Sequence, residues 1–327
     1  FFKVHNINTA LVQSDNSNLE NKITYNFAQD YTTLDITASV YESLNVKTDK
    51  RYEYILPNII FGKTLFTDNF GTIDFSSNAL YRNYDAKKET TFLTNDLVWI
   101  PKNIMTKKGF VNTIEGMVRN TNYEAKKTAD YKTGGTVNEL NGVVSFKSTL
   151  PMKKEGVGYS NFFSPNFMLR MAPGHMRDLT TESTTLNYAN LYSMNRTSEI
   201  ENGISAVLGL DFITNTKNSK GEESEKLSLS LGQVFNAEEN TDLPSKSSLD
   251  QKMSDVVGKI NYNFSEIGDI NYKFSLDHNF NDLNYNEIST NLNFGPVAFN
   301  ISYLEERSHV GSEHYINNGV TLNMNDN

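Results

Sequence analysis

Cysteine is absent from the 327 residues. That removes disulfides, thiolate metal ligands and thiol nucleophiles together. It leaves the compartment open, since an oxidising location permits disulfides without requiring them. Long apolar runs are also missing: the longest is Leu97–Ile100, far short of the roughly 20 residues that a membrane-spanning helix needs. Nor is there a surplus of positive charge. Thirty Lys and Arg against 39 Asp and Glu give a net charge of −9, which argues against a general nucleic-acid binder, because neutralising phosphates needs a basic excess. Proline is sparse, and all seven are expected at strand ends or in connections, where no ladder hydrogen bond is lost.

Aromatic residues are plentiful. Phe and Tyr number 20 and 17 in a chain that is only 38% hydrophobic, a balance that suits half-apolar strands better than packed helices. The stretch "KINYNFSEIGDINYKFSLDHNF" (259–280) shows how they are placed: Ile260, Tyr262 and Phe264, then Ile270, Tyr272, Phe274, Leu276 and Phe280, alternate with Asn, Lys, Ser and Asp. The same period of two returns at Ile23, Tyr25 and Phe27; at Leu34, Ile36, Ala38 and Val40; from Ile204 to Phe212; at Leu227, Leu229 and Leu231; and from Val297 to Tyr303 and Val320 to Met324. Apolar residues at every second position mark a strand with one dry and one wet face. About fifteen strands and no helix are expected.

Two environments ask for this pattern, a soluble sandwich and a transmembrane barrel. Strands of about ten residues are long enough to cross a bilayer when tilted. Phe27, Tyr41, Phe264, Phe280, Phe294 and Tyr303 lie toward strand ends, as interfacial girdles do. From residue 255 onward, short and longer connections alternate, although "NTKNSKGEES" (215–224) reads as a long loop next to another long one, "NAEENTDLPSKSSLDQKMSD" (236–255). The tight reversals "SEIGD" (265–269) and "FGPVAF" complete the set.

Residues 160–196 do not alternate cleanly and bring together Arg170, His175, Arg177 and Arg196. One reading is a folded-in segment that offers cations to an anionic ligand. The other is a structured loop whose arginines pair with Asp178, Glu182, Glu199 or Glu201. Catalytic and metal sites are not expected. His5, His175, His278, His309 and His314 are scattered, and no nucleophile elbow or phosphate-binding glycine loop is present.

The motifs "SPNFMLRMAPGHMRDL", "NLYSMNR", "EIENGISAVLGLDF", "LSLSLGQVFN" and "SDVVGKINYNF", preceded by "RYEYILPNIIFG" and "RNYDAKKETTFLTNDLVWIPK", stand in order along the chain. Together they resemble the C-terminal barrel region of the LptD family of lipopolysaccharide-assembly proteins. The resemblance implies an antiparallel transmembrane β-barrel in the cell outer membrane that passes lipopolysaccharide to the outer leaflet. No cofactor, no catalytic residue and no nucleic acid would be involved. It implies an LptE-like plug lipoprotein and a periplasmic bridge protein as partners, the latter through an N-terminal domain not seen here. On this reading residues 1–327 are a barrel region incomplete at both ends, holding about fifteen strands of a larger cylinder. Arg170, Arg177 and Arg196 become candidates for contacts to lipid phosphates or to the plug. A general porin or nutrient channel, and a non-membrane β-sandwich or solenoid adhesin, remain the alternatives.

Overall fold

The computed structural model describes residues 18–46, 48–85, 87–128, 131–182, 184–217, 222–264, 267–307 and 313–322. His5, His309, Met324 and parts of the 215–224 and 265–269 reversals lie outside them. Among the described residues there are seventeen strands, and every pairing register is antiparallel. Two are short, β6 (Ile104–Met105) and β9 (Met152–Gly156). The other fifteen match the expected number of long strands.

The chain forms two compact units, residues 1–100 with 117–141 and residues 101–116 with 142–327. In the first, β1 (Asn18–Gln29), β2 (Thr32–Ser43), β3 (Tyr52–Asp68), β4 (Gly71–Tyr84) and β5 (Lys88–Ile100) follow one another as hairpins. The later halves of β7 (Val111–Lys126) and the first part of β8 (Thr136–Thr149) belong to the same unit. Register puts the apolar residues of neighbouring strands side by side: Ile23 faces Ala38, Tyr25 faces Ile36 and Phe27 faces Leu34. On the other parity, polar side chains bond across the ladder, as where Asp96 receives both Nε and Nη2 of Arg119 at 2.7 and 2.8 Å.

The second unit carries β10 (Tyr159–Ala172), β11 (Gly203–Lys217), β12 (Glu223–Asn236), β13 (Val256–Asn263), β14 (Gly268–Leu276), β15 (Leu283–Phe294), β16 (Val297–Glu306) and β17 (Glu313–Leu322), each paired with the next. At one end the connections 173–202 and 237–255 are long and 277–282 is shorter, and those at the other end, including 218–222 and 295–296, are short. The expected irregularity at 215–224 is therefore corrected. Thr216 and Lys217 are polar, yet they continue the ladder opposite Ser224 and Glu223, with Lys217 in an ion pair to Glu223 at 3.2 Å.

Two prolines also depart from expectation, because Pro57 and Pro165 lie inside strands. Each occupies a break in pairing, where its missing N–H costs nothing. Leu56 and Pro57 fall within a register shift of β3 against β4. Pro165 falls between the part of β10 that pairs with β9, ending at Phe163, and the part that pairs with β8, beginning at Asn166.

The apolar parity of both units is bare. Ile23 is 78% exposed and Leu208 52%. Leaving one such side chain in water forgoes about 1.5–3 kcal/mol, and β10 and β11 alone expose Phe163, Phe167, Leu169, Met171, Ile204 and Leu208. A soluble sandwich would bury this face against a second sheet. A lipid-facing strand leaves it to hydrocarbon.

Candidate functional site

The buried core lies on the opposite, polar parity of the second unit. Met168, Val207, Val234 and Val257, one each from β10 to β13, are covered by Met176, Leu179, Leu186 and Leu191 of the 173–202 segment and by Leu243 and Leu249 of the 237–255 segment. Both connections thus fold onto the inner wall. Pro173 and Gly174 end β10, the glycine taking a positive φ of 115°. Side-chain turns then shape the chain: Asn187 accepts from the backbone N–H groups of Ala189 and Asn190, and Asn190 accepts from that of Asn187. The two segments join through Leu179 N–H to the Asp242 carbonyl at 2.8 Å, and through Asn240 Nδ2 to Asn202 Oδ1 at 2.7 Å.

Close approach depends on two glycines that face each other across β11 and β12, Gly209 and Gly232. A Cβ on Gly209 would come within 2.2 Å of Tyr192 Oη and 2.5 Å of the Leu231 carbonyl. One on Gly232 would meet Leu191 Cδ2 at 2.5 Å. The segment therefore packs on bare backbone.

Asp211, on the inner face of β11, gathers neighbours from three directions. It accepts from Asn166 Nδ2 at 2.7 Å, from Ser230 Oγ at 2.5 Å and from the Tyr188 hydroxyl. Burial and the donation to Asp211 push the Tyr188 phenol well above the ordinary tyrosine range, and burial does the same to Tyr192. Asp255 plays a matching part at β13, accepting from Ser275 Oγ at 2.7 Å and Asn284 Nδ2 at 2.8 Å.

The three arginines singled out in the sequence are brought together here. Arg170, 1% exposed, donates Nε to the Met194 carbonyl and Nη2 to the Glu201 carbonyl, both at 2.6 Å. Its Nε also lies 3.6 Å from Glu201 Oε1. Arg196 Nη1 reaches the same Oε1 at 2.5 Å, and Arg177 Nη1 lies 3.2 Å from Glu199 Oε1. Of the four acids considered as partners, Glu199 and Glu201 are the ones used. Asp178 instead accepts from Thr180, and Glu182 from Ser198 and Thr184.

The boundary of the irregular stretch moves, since 160–172 is strand and only 173–202 folds in. Phe162 and Met168 on the inner face, with Asn161 and Pro165 on the outer, hide the alternation that the rest of the strand keeps. Asp211, Asp255 and the glycine pair were missed. Of these, Asp211 alone could have been suspected, from its place on the polar parity of β11.

A bare apolar face, a polar inner face and long connections folded onto it define an outer-membrane β-barrel protein. Residues 1–325 match the family described as LptD: LPS transport system D, and the chain belongs to that family of outer-membrane lipopolysaccharide-transport proteins. No curated protein sequence matches it. Among solved structures, the siderophore receptor PirA from Acinetobacter baumannii is similar at 8% identity, with a TM-score of 0.41 over 94% of this chain and 55% of that one. The chain thus spans about half the length of the receptor.

Proposed function

We propose that this chain supplies barrel wall and in-folded connections past which lipopolysaccharide travels on its way to the outer leaflet. The observation that carries the reading is the family match over residues 1–325, joined to a wall whose outer side is bare and apolar and whose inner side carries most of the polar residues. Such a wall lets acyl chains stay in hydrocarbon while sugars keep to water. The transfer breaks no covalent bond. A plug lipoprotein of the LptE kind and a periplasmic bridge protein are the partners this reading requires, and residues 1–327 are then one region of a larger barrel.

Arg170, Arg177 and Arg196 act in this proposal through the in-folded segment: Arg170 on β10 ties it to the wall through Glu201, while Arg177 with Glu199 and Arg196 with Glu201 brace the segment internally. Direct contact with a lipid phosphate would need that phosphate to take the place of a carboxylate.

Depleting the full-length protein tests the reading. Newly made lipopolysaccharide is expected to accumulate on the periplasmic side and to be lost from the cell surface. Unchanged surface lipopolysaccharide, with steady ion-selective conductance from the purified protein, would instead indicate a porin.

A further inference from the structure

We infer that the cavity between residues 185–189 and the inner wall of β13 to β15 is a subsite for a sugar phosphate. The inference rests on the lipopolysaccharide reading above and names the part of that molecule which this wall holds. The cavity measures about 420 Å³ and is lined by Lys259, Lys273, Ser275 and Tyr285 from the wall and by Asn187 and Tyr188 from the segment, among others. That volume falls within the roughly 300–1,000 Å³ of small-molecule sites.

Charge placement gives the ligand its sign. Lys259 and Lys273 stand directly opposite each other across the β13–β14 ladder, an arrangement in which like charges repel. Lys273 is compensated by Glu287, whose Oε2 lies 3.0 Å away and also accepts from Tyr285 at 2.6 Å. Lys259 forms no ion pair among the described residues; its ammonium stands 5.5 Å from the centroid of the Tyr188 ring. The neighbouring carboxylates are held by neutral donors, Asp211 by Asn166, Tyr188 and Ser230, and Asp255 by Ser275 and Asn284, and neither forms an ion pair with Lys259 among the described residues.

An anion seated between the two ammonium groups removes the repulsion, and lysine serves phosphate as a compact point charge. The amide of Asn187 and the hydroxyl of Ser275 offer polar groups to sugar hydroxyls, and the tyrosine rings with Leu186, Ala189 and Phe274 form an apolar remainder against which the carbon face of a sugar ring can lie. The subsite therefore holds phosphorylated sugar on the inner wall, opposite in face to Ile260, Tyr272 and their lipid-facing neighbours.

The test uses the full-length protein with its plug, in detergent, and two probes: lipid A carrying its phosphates and the same lipid stripped of them. Lys259→Ala is expected to weaken binding of the phosphorylated probe roughly tenfold, with Lys259→Arg close to wild type and the stripped probe insensitive to either change. A photo-crosslinking residue at Asn187 keeps both lysines and is expected to form an adduct with the phosphorylated probe. Wild-type affinity in Lys259→Ala, or no adduct from Asn187, would overturn the subsite alone. Failure of the wild-type protein to bind either probe would overturn the lipopolysaccharide reading itself.

Discussion

Replacing Glu201 by Ala removes one carboxylate that two buried guanidinium groups share. The side chains of Arg170 and Arg196 are each 1% exposed and that of Glu201 4%. After the change the two cations keep, among the described residues, only the carbonyl oxygens of Met194, Glu201 and Leu191 as acceptors. Breaking a buried pair in this way costs about 3–5 kcal/mol, and here the cost is relieved when the 173–202 segment leaves the wall and both guanidiniums meet water. The open population should rise by roughly two to three and a half orders of magnitude. Val207 lies beneath the segment, fully buried, and the chain contributes no thiol of its own. In a Val207→Cys background of the full-length protein, the rate of labelling by a water-soluble maleimide reports the opening. Glu201→Ala should accelerate it by that factor and Glu201→Gln, which keeps an acceptor, by less. A rate within threefold of the parent's, on the order of 0.7 kcal/mol, would refute the view that this carboxylate holds the segment down.

Gly209→Ala should destabilise the same contact by about 1–3 kcal/mol, since the new methyl meets backbone as well as Tyr192; a lowered temperature of the heat-induced shift in gel mobility would register it. Arginine should be tolerated on one face and not the other: Leu208→Arg, on the bare side of β11, should cost about 2–4 kcal/mol if it lies near the bilayer midplane, whereas Asn261→Arg on the inner face should cost little, as read from urea unfolding in lipid. Burial raises the Asp250 carboxyl above the ordinary aspartate range. A raised folded-state pKa means that stability is fully present below the unfolded pKa and is lost as pH rises through the folded one. Asp250→Asn should therefore slow maleimide labelling of Val207→Cys at neutral pH and leave it unchanged in acid.

The lipid-facing architecture was largely legible because each strand states its own parity. Ile260 and Tyr262 alternate with Lys259 and Asn261 in the sequence, and the register that sets Ile260 against Tyr272 and Tyr262 against Ile270 follows once the two runs form a hairpin. The site was less legible. Cross-strand neighbours such as Asp211 and Ser230, or Lys259 and Lys273, lie 19 and 14 residues apart, with separations set by loop length rather than by any period. The glycine pair was hidden for another reason: what makes Gly209 and Gly232 necessary is a segment that packs over them, and sequence patterning within a strand carries no trace of it. Arg170, Arg177 and Arg196 were visible as a group, while their burial against Glu199 and Glu201 depends on how 173–202 turns back on the wall.

Nitroxide scanning along β13 and β14 of the full-length protein in bilayers addresses the central claim, that hydrocarbon wets one face of these strands and water the other. Probes at Ile260, Tyr262, Ile270 and Tyr272 should be relaxed by oxygen dissolved in the lipid, and probes at Asn261 and Asn271 by an aqueous nickel chelate. Apolar-parity positions shielded from oxygen, or reached by the chelate as readily as their neighbours, would contradict it.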